Sequence, residues 1–321
     1  MWLVHPKLQD NELLSSWLIR CANAHGWPLH SFCHQHWPGL QIWNRDIDHL
    51  ASATLVCSLA RHTATPLERA HATTLNAFSG CVFPELRQNS STALVAPIGV
   101  YHRERRGFGL RYCPCCLRGD LVPHFKTRWR LTFIASCTKH GVELLDACPQ
   151  CLKPVAPHRG EFLACHHCSF DLREAEALPA TAAVLQFQYH NEKVLAGHPV
   201  VWPGFTGLHP LSFFALLNRL LLLLACGPRR NALHRQMFRM GVCVEEPVFN
   251  GPFKAVQFLT VRSVADLMDA AIYLMRGWPW MFVGLCQEAR LLYSWVMRDC
   301  KPEDAPYILL NPAVRYLKDQ H

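Results

Sequence analysis

The stretch from residue 113 to residue 168 contains four pairs of metal-ligand-type residues, and two residues separate the members of each pair. The pairs are Cys113-x2-Cys116, Cys137-x2-His140, Cys148-x2-Cys151 and Cys165-x2-Cys168. A two-residue spacer lets both side chains of a tight turn face one ion, and Zn²⁺ takes four thiolate or imidazole ligands in a tetrahedron. The spacing therefore predicts two structural zinc ions, each bound by two consecutive pairs.

Two other uses of such cysteines fit this stretch less well. A thioredoxin-like redox site needs one Cys-x-x-Cys pair on a strand–helix unit, not four pairs in tandem. A disulfide framework is typical of secreted chains that are much shorter than this one. Other residues of the stretch are expected to be bystanders, with His124 at the surface; they are Cys115, His124, His166 and His167.

Both predicted sites have four protein ligands, whereas a catalytic zinc keeps one coordination position open. The sequence has no H-E-x-x-H motif. The triplet His102-Arg103-Glu104 supplies only the first half of a deaminase signature, because Tyr112 and not proline precedes Cys113. We therefore expect the zinc ions to act as a scaffold and the chain not to be an enzyme.

Composition places the chain among globular proteins with two or three domains. It has 321 residues, of which 50% are hydrophobic and 17% charged, so it can bury substantial cores. Its sixteen cysteines, many of them isolated, and an N-terminus that does not resemble a signal peptide favour a reducing cytoplasm. The most apolar segment, 211–226, is shorter than the roughly 20 residues of a membrane span, so we expect a buried helix.

Positive charge is concentrated in two segments of this chain, whose net charge is +8. Residues 101–130 contain eight Lys or Arg and two acidic residues, and residues 193–244 contain six Lys or Arg and no acidic residue. Such segments are typical of proteins that bind a phosphate backbone or an acidic protein surface, although a merely solvated surface is the alternative. The expected contact residues are Arg103, Arg105, Arg106, Arg229, Arg230 and Arg235.

Apolar periodicity predicts a helical unit over residues 1–80. The first helix follows Asp10 or Asn11 as its cap, a second spans Leu29 to His36, and Asp46 is expected to cap a third. Thr65-Pro66-Leu67-Glu68 has the composition of a helix N-terminus with a capping box, for a helix whose apolar stripe reaches Phe78. The turn around Thr63 between two helices is compatible with a helix-turn-helix.

The remainder divides into a linker at 81–107, a tandem zinc-binding module at 108–175 and a C-terminal helical domain at 180–321. Within the zinc-binding module, Trp129 is expected to lie in the core beside the metal. The C-terminal domain has six predicted helices, and the turn before Pro279 again suggests a helix-turn-helix. The candidate segments are Ala182–Leu195, Pro210–Cys226, Asn231–Met240, Ser263–Met275, Pro279–Leu292 and Pro302–Leu317. The predicted fold class is mainly α, with helix-turn-helix-like N- and C-terminal domains around a central zinc-finger module.

Several motifs together resemble the TniQ family of transposition target selectors. Residues 12–20 (ELLSSWLIR) are similar to its opening E-x-L-x-S-W-L-x-R helix, and residues 43–48 (WNRDID) to its W-x-R-D-x-D motif. Residues 111–116 and 129–131 are similar to the first half of its zinc region, and residues 137–151 to the part that follows. The resemblance covers nearly the whole chain and is strongest over residues 1–170.

The resemblance implies a helical, non-catalytic adaptor with helix-turn-helix elements around zinc fingers. Members choose where a transposon inserts, either at a defined DNA site or on an RNA-guided CRISPR complex of the Cascade type, which they bind as a dimer. They help to recruit an AAA+ ATPase, which brings the transposase. Longer members that read DNA directly have an additional C-terminal region, so a chain of 321 residues is expected to depend on a guide complex or another partner.

Two other classes of function remain as alternatives. A stand-alone zinc and helix-turn-helix DNA-binding protein would bind one duplex tightly without a partner, with a steep salt dependence. A hydrolytic metalloenzyme would need an open metal site and activity that depends on added zinc.

Overall fold

A computed structural model describes residues 1–88, 90–99, 109–250, 253–298, 300 and 305–318. These residues form twelve α-helices and two short antiparallel hairpins, which confirms the mainly α fold class. The chain divides into two compact units. The first unit comprises Met1–Ser79 and Glu85–Leu178, and the second comprises Gly80–Pro84 and Pro179–His321. The predicted N-terminal helical domain and zinc-binding module thus both lie mainly in the first unit, and the fourfold division of the chain stays a prediction.

The first unit has five α-helices and one hairpin, joined by loops and short 3₁₀ turns. The helices are α1 (Leu14–Ala24), α2 (Leu29–His36), α3 (Ala53–His62), α4 (Leu67–His71) and α5 (Pro114–Gly119), and the hairpin pairs β1 (Ser136–Cys137) with β2 (Val142–Glu143). The predicted apolar face of α1 is buried in the core, where it packs with side chains of α2 and α3. Helix α2 has the predicted bounds.

Helix α1 is not capped by Asp10 or Asn11 as predicted. It has no side-chain cap of its own, and two N–H groups of its first turn donate to distant residues. The Leu14 N–H donates to the Thr73 carbonyl at 2.9 Å, and the Ser15 N–H donates to the Asp48 carboxylate at 2.8 Å. Because these bonds satisfy groups that a local cap would otherwise satisfy, tertiary structure replaces the cap.

Two further predictions about helix starts and lengths are wrong. Asp46 caps no helix, since α3 begins at Ala53 with Ser52 as its cap, and Asp46 pairs with an arginine described below. The predicted fourth helix stops at His71, and Leu67, the first residue of its predicted apolar stripe, is 47% exposed. The hydroxyls of Thr73 and Thr74 donate back to the carbonyls of Ala70 and His71. Such local bonds compete with continued helix formation, so the stripe beyond residue 74 forms a separate 3₁₀ turn.

The second unit has seven α-helices and one hairpin. They are α6 (Ala182–Leu195), α7 (Pro210–Cys226), α8 (Arg230–Arg239), α9 (Val261–Arg276), α10 (Trp280–Glu288), α11 (Tyr293–Val296) and α12 (Tyr307–Leu317), with β3 (Val201–Trp202) paired to β4 (Phe205–Thr206). Helices α6 and α7 have the predicted bounds. The segment predicted as one helix from Pro279 to Leu292 ends early, because Arg290 adopts φ +52°, which interrupts a right-handed helix.

Helix α7 is the buried helix that the apolar segment predicted. Nine of its side chains are buried, including Phe213, Leu217 and Leu224. Of the helices in the described ranges, none by itself has both the length and the hydropathy of a membrane span. Helices α7 and α8 reach that length and hydropathy only as a pair, and they are bent by 99° at the break between them.

Candidate metal centres and a buried charge network

The first group of predicted ligands comes together at one point in the first unit. Cys113 lies at the N-terminus of α5, Cys116 in its first turn, Cys137 in β1, and His140 in the turn that leads to β2. The His140 Nδ1 atom is 3.6 Å from the Cys113 sulfur, 3.4 Å from the Cys116 sulfur and 3.5 Å from the Cys137 sulfur. These four ligand atoms, three of them on buried residues, lie within 4.8 Å of one another, so the group can hold one metal ion.

The second group is formed entirely by loops that follow the hairpin. The sulfurs of Cys148 and Cys168 are 3.6 Å apart, as are those of Cys151 and Cys165. All four sulfurs lie within 4.8 Å of one another. The structure thus groups all eight predicted ligands as the chain-order pairing requires.

Three of the four pairs share one backbone conformation. The residue four positions after Cys137, Cys148 or Cys165 donates its N–H to that cysteine's carbonyl, at 2.8, 2.9 and 2.8 Å. That residue also has positive φ in each case: Gly141 at +68°, Leu152 at +58° and Ser169 at +60°. This closed turn directs both members of a pair to the same side, which explains the recurring two-residue spacer.

The donor sets fit zinc in chemistry and in size. Zn–S bonds of about 2.3 Å imply sulfur–sulfur edges of about 3.8 Å in a tetrahedron, close to the 3.6 Å between Cys116 and Cys137. Hydrogen bonds shared with Cys116, and then with Cys137, raise the pKa of the Cys113 thiol. Sulfurs this close cannot all ionise easily without a cation, and a bound metal ion supplies the compensating charge. Each set supplies four protein ligands, the number found in closed structural sites.

A lysine lies beside the first group. The Lys126 ammonium donates to the Cys116 sulfur at 3.6 Å, pairs with Asp120 at 3.3 Å and lies 5.5 Å from the centroid of the Trp129 ring. Trp129 is buried, as predicted from its position beside the metal. Lys126 therefore places a positive charge next to a sulfur that would be a thiolate when a metal is bound.

The expected bystander residues have different environments. Cys115 is half-buried, and His166 and His167 lie with ring centroids 3.9 Å apart. The prediction that His124 lies at the surface is wrong, because its ring is buried and contacts the carbonyls of Val122 and Asp10, at 2.9 and 3.2 Å.

A buried arginine connects three of the sequence motifs. Arg130 is 1% exposed and donates to both carboxylate oxygens of Asp46, to Asp48 at 3.3 Å and to the Ala96 carbonyl at 3.0 Å. Asp48 in turn accepts from the N–H and hydroxyl of Ser15, both at 2.8 Å. The WNRDID motif, the motif at residues 129–131 and the opening helix are thus held together by one network within the first unit.

The two carboxylates of this network have opposite pKa shifts. Burial opposes ionisation of Asp46, but the charge of Arg130 and its hydrogen bonds outweigh burial and lower the pKa of Asp46. Burial, and then the negative charge of Asp46, raises the pKa of Asp48 to about 6. One guanidinium therefore stabilises one of the two neighbouring carboxylates more strongly than the other. Sequence reasoning missed this network, although the motifs that form it were recognised.

The opening motif has a second polar cluster at the same end of the unit. Glu12 is buried and accepts from the Ser16 hydroxyl at 3.0 Å, the Gln9 N–H at 3.0 Å and the Arg20 guanidinium at 2.6 Å. The glutamate, serine and arginine of ELLSSWLIR therefore hold the start of α1 in place.

The described parts of the two basic segments are less exposed than their charge suggests. In the first segment, Arg111, Lys126 and Arg130 are buried. In the second, Arg230 pairs with Glu246 at 2.6 Å, whereas the predicted contact residues Arg229 and Arg235 are exposed. The other three predicted contact residues, Arg103, Arg105 and Arg106, lie outside the described residues.

Comparison with known proteins finds a family similarity for the N-terminal part of the chain. Residues 3–144 match a family model described as TniQ, a family associated with transposition. The matched region contains the Arg130 network, the Glu12 cluster and the complete first ligand group, and it ends before the second group. No curated protein matches the chain. Over residues 3–144 the chain is therefore similar to the TniQ family, which is consistent with the resemblance that its motifs predicted.

Proposed function

We propose that the chain is a non-catalytic adaptor for the selection of transposition targets. In this role it links a DNA-targeting element, either an RNA-guided Cascade-type complex or a DNA site, to an AAA+ ATPase and its transposase. The observation that supports this most is the TniQ match, which coincides with the part of the chain held together by the first ligand group and the Arg130 network.

The metal groups support the non-catalytic part of the proposal. We assign one zinc ion to each, held by Cys113, Cys116, Cys137 and His140 in the first and by Cys148, Cys151, Cys165 and Cys168 in the second. Zinc here supplies cross-links between loops, because four protein ligands fill a tetrahedral site and leave no position for a reacting water. The chain's own residues then present surfaces to partners rather than reacting groups to a substrate.

Nucleic-acid or partner contacts are assigned to the exposed arginines. Arg229 immediately precedes α8 and Arg235 lies in its middle, and α8 itself has three arginines and no acidic residue. Arg103, Arg105 and Arg106 retain this role as a proposal from their charge. Because Glu246 balances the charge of Arg230, we expect Arg230 to contribute less than Arg229 and Arg235.

A capture experiment with the purified, tagged full chain tests the proposal. The baits are the AAA+ ATPase of its transposition system, a Cascade-type complex with its guide RNA, and duplex DNA of the target. We expect capture of the ATPase and the guide complex, and weak, salt-sensitive binding of bare duplex. If neither the ATPase nor the guide complex is captured under conditions in which both are active, the adaptor role is contradicted. Tight binding of one duplex alone would favour the stand-alone DNA-binding alternative.

Matched variants make the same experiment specific. Replacing Arg229 and Arg235 with alanine is expected to weaken partner capture. The slope of the logarithm of the binding constant against the logarithm of the salt concentration is expected to decrease by roughly one for each phosphate that the variant no longer neutralises. Arg61→Ala, which removes another exposed cation on α3, serves as the control and is expected to change neither quantity. If the variant without Arg229 and Arg235 captures partners as well as Arg61→Ala does, with the same salt dependence, α8 is not part of the proposed contact surface.

A further inference from the structure

Helices α7 and α8 of the second unit meet at a tight turn. Only Gly227, Pro228 and Arg229 separate the two helices, whose axes are bent by 99° at this break. The turn requires its glycine, because a Cβ atom at Gly227 would lie 2.7 Å from the Leu223 carbonyl oxygen. Two helices that meet at about 90–120° across a turn of three or four residues, often with a glycine, form a helix-turn-helix. This turn is neither of the two for which the sequence suggested such an element.

Polar side chains of α8 fix its angle to α7. The His234 Nε2 atom forms a hydrogen bond of 2.8 Å with the Leu224 carbonyl, and the Arg230 guanidinium donates to the Ala225 carbonyl at 3.1 Å. Both carbonyls belong to the last turn of α7, where carbonyl groups have no N–H partner within the helix. These bonds therefore satisfy the end of α7 and hold α8 in a fixed direction.

One face of α8 points away from the core of the second unit. Leu233 and Met237 are buried. Asn231, Arg235 and Phe238 are exposed and lie at positions i, i+4 and i+7, which places them together on the opposite side of the helix. Phe238 is 70% exposed although it is a large apolar side chain. A rigidly held helix with such an exposed stripe is suited to contact another molecule.

The charge of this face fits a polyanion. Helix α8 has three arginines and no acidic residue. Among the described residues, only Arg230 of these three pairs with a carboxylate, that of Glu246. Arg235 and Arg239 are exposed, and Arg239 donates to the neutral Gln236 side chain at 3.2 Å. Phosphates of a nucleic acid supply the complementary negative charge.

The residue types on this face are those that contact base edges in the major groove of DNA. That groove is about 12 Å wide and admits an α-helix. In it, asparagine can form two hydrogen bonds with adenine, arginine can form two with guanine, and phenylalanine can pack against the thymine methyl group. An acidic protein surface would be attracted by the arginines alone, whereas the neutral Asn231 and Phe238 side chains between them favour a duplex.

We propose that α8 is a recognition helix that lies in the major groove of duplex DNA, with Asn231, Arg235 and Phe238 at base edges. Arg229 and Arg239, near the two ends of the helix, contact phosphates. The inference deepens the proposed function, because it rests on the DNA partner proposed there and names the form of DNA that is contacted. A single recognition helix makes few contacts, so the expected affinity for bare duplex is modest but depends on the base sequence.

The test selects preferred sites with the purified full chain at low salt. The probe is a pool of DNA duplexes whose central base pairs are randomised, and the bound fraction is sequenced. We expect one enriched site, whose affinity is then measured by fluorescence anisotropy. Asn231→Ala and Arg235→Ala are each expected to weaken binding of this site roughly tenfold or more and to remove the preference at one base pair.

Further variants separate base contacts from charge. Arg235→Lys keeps the charge but cannot form the paired hydrogen bonds with guanine, so it is expected to lose the base preference and keep the salt dependence. Arg239→Ala is expected to weaken selected and random duplexes equally. Arg61→Ala, at an exposed position on α3, is the control and is expected to change neither quantity. All substituted positions are exposed, and a thermal melt checks that each variant is folded.

A change in the DNA tests the same contact from the other side. Guanine in the selected site is replaced by 7-deazaguanine, which pairs normally but lacks the N7 acceptor in the major groove. We expect weaker binding of this duplex by the wild type and no further weakening by Arg235→Ala.

The outcomes separate the possible failures. A pool without an enriched site, a folded Arg235→Ala variant that binds the selected duplex as tightly as the wild type, or a single strand that competes as strongly as the duplex would each overturn the proposal. Loss of protein capture in the α8 variants without any duplex binding would also overturn it, and would assign this face to an acidic protein surface. If the wild type captures the ATPase and the guide complex but prefers no duplex, only the α8 assignment fails. If it reads a duplex through α8 but captures no protein partner, the adaptor role fails.

Discussion

Replacing Cys137 with serine is expected to unfold the first unit and abolish partner capture. The variant removes one of four ligands from the group that joins α5 to the β1–β2 hairpin. A structural zinc contributes on the order of 10 kcal/mol to folding, which is comparable to the whole stability of a typical domain, about 5–15 kcal/mol. We therefore expect loss of helical circular dichroism from this unit, rapid proteolysis and a decrease from two bound zinc ions to no more than one.

A neighbouring cysteine provides the control for this prediction. Cys115 lies between the two ligands of the first pair, but its sulfur is not part of the group. Cys115→Ser is expected to keep both zinc ions and the wild-type fold. A Cys137→Ser chain that lost the metal yet stayed folded and captured its partners would show that the first metal group does not support the unit.

Replacing Arg130 with methionine is expected to cause the largest loss of stability away from the metal groups. The change leaves Asp46 and Asp48 buried without their cation and leaves the Ala96 carbonyl without its donor. Breaking a buried ion pair by removing one partner costs about 3–5 kcal/mol. The measurement is urea unfolding of the full chain, with zinc release as the signal for the first unit and tryptophan fluorescence, to which both units contribute, as the signal for the whole chain.

The pH of that measurement matters because the two carboxylates titrate differently. The pKa of Asp48 is raised from 3.8 to about 6, so the folded chain binds this proton more tightly than the unfolded chain, and the group's contribution to stability falls as pH rises from about 4 to about 6. The pKa of Asp46 is lowered, so its contribution is present above pH 3.8 and is lost in acid. At pH 7.5 both carboxylates are ionised, and the effect of removing Arg130 is largest.

Two comparisons test the physical cause of the Arg130 effect. Arg45→Ala removes an exposed arginine next to Asp46 and is expected to change the free energy of unfolding by less than about 0.5 kcal/mol. Adding Asp46→Asn and Asp48→Asn to Arg130→Met removes the unpaired charges and is expected to recover part of the loss. A loss below about 1 kcal/mol for Arg130→Met alone would contradict a central role for the network.

The metal groups were predictable from the sequence because a ligand pair is a local feature. The turn that brings Cys148 and Cys151 to one side is closed by a local hydrogen bond from the Leu152 N–H to the Cys148 carbonyl. The spacing of the two cysteines in the sequence is therefore enough to predict this geometry. Helices α6 and α7 were predictable for a similar reason, since their N-terminal signals, Thr181 and Pro210, lie at the helix starts themselves.

The errors arose where distant residues satisfy a local need. The sequence shows Asp46 before an apolar stripe, but not that Arg130, more than eighty residues away, competes for its carboxylate. The sequence shows Asp10 and Asn11 before α1, but not that Asp48 accepts a first-turn N–H. Charge counting likewise cannot separate an exposed arginine from Arg111, which is buried and donates to the carbonyls of Leu131 and Thr132.

The metal content of the purified wild-type chain tests the central claim most directly. Elemental analysis by mass spectrometry, combined with native mass spectrometry of the intact protein, gives the identity and number of bound ions. We predict two zinc ions per chain, whose removal by a strong chelator unfolds the first unit. A chain that is folded with no metal, or one that binds another metal at an exchangeable position and needs it for turnover, would contradict a zinc-scaffolded, non-catalytic adaptor.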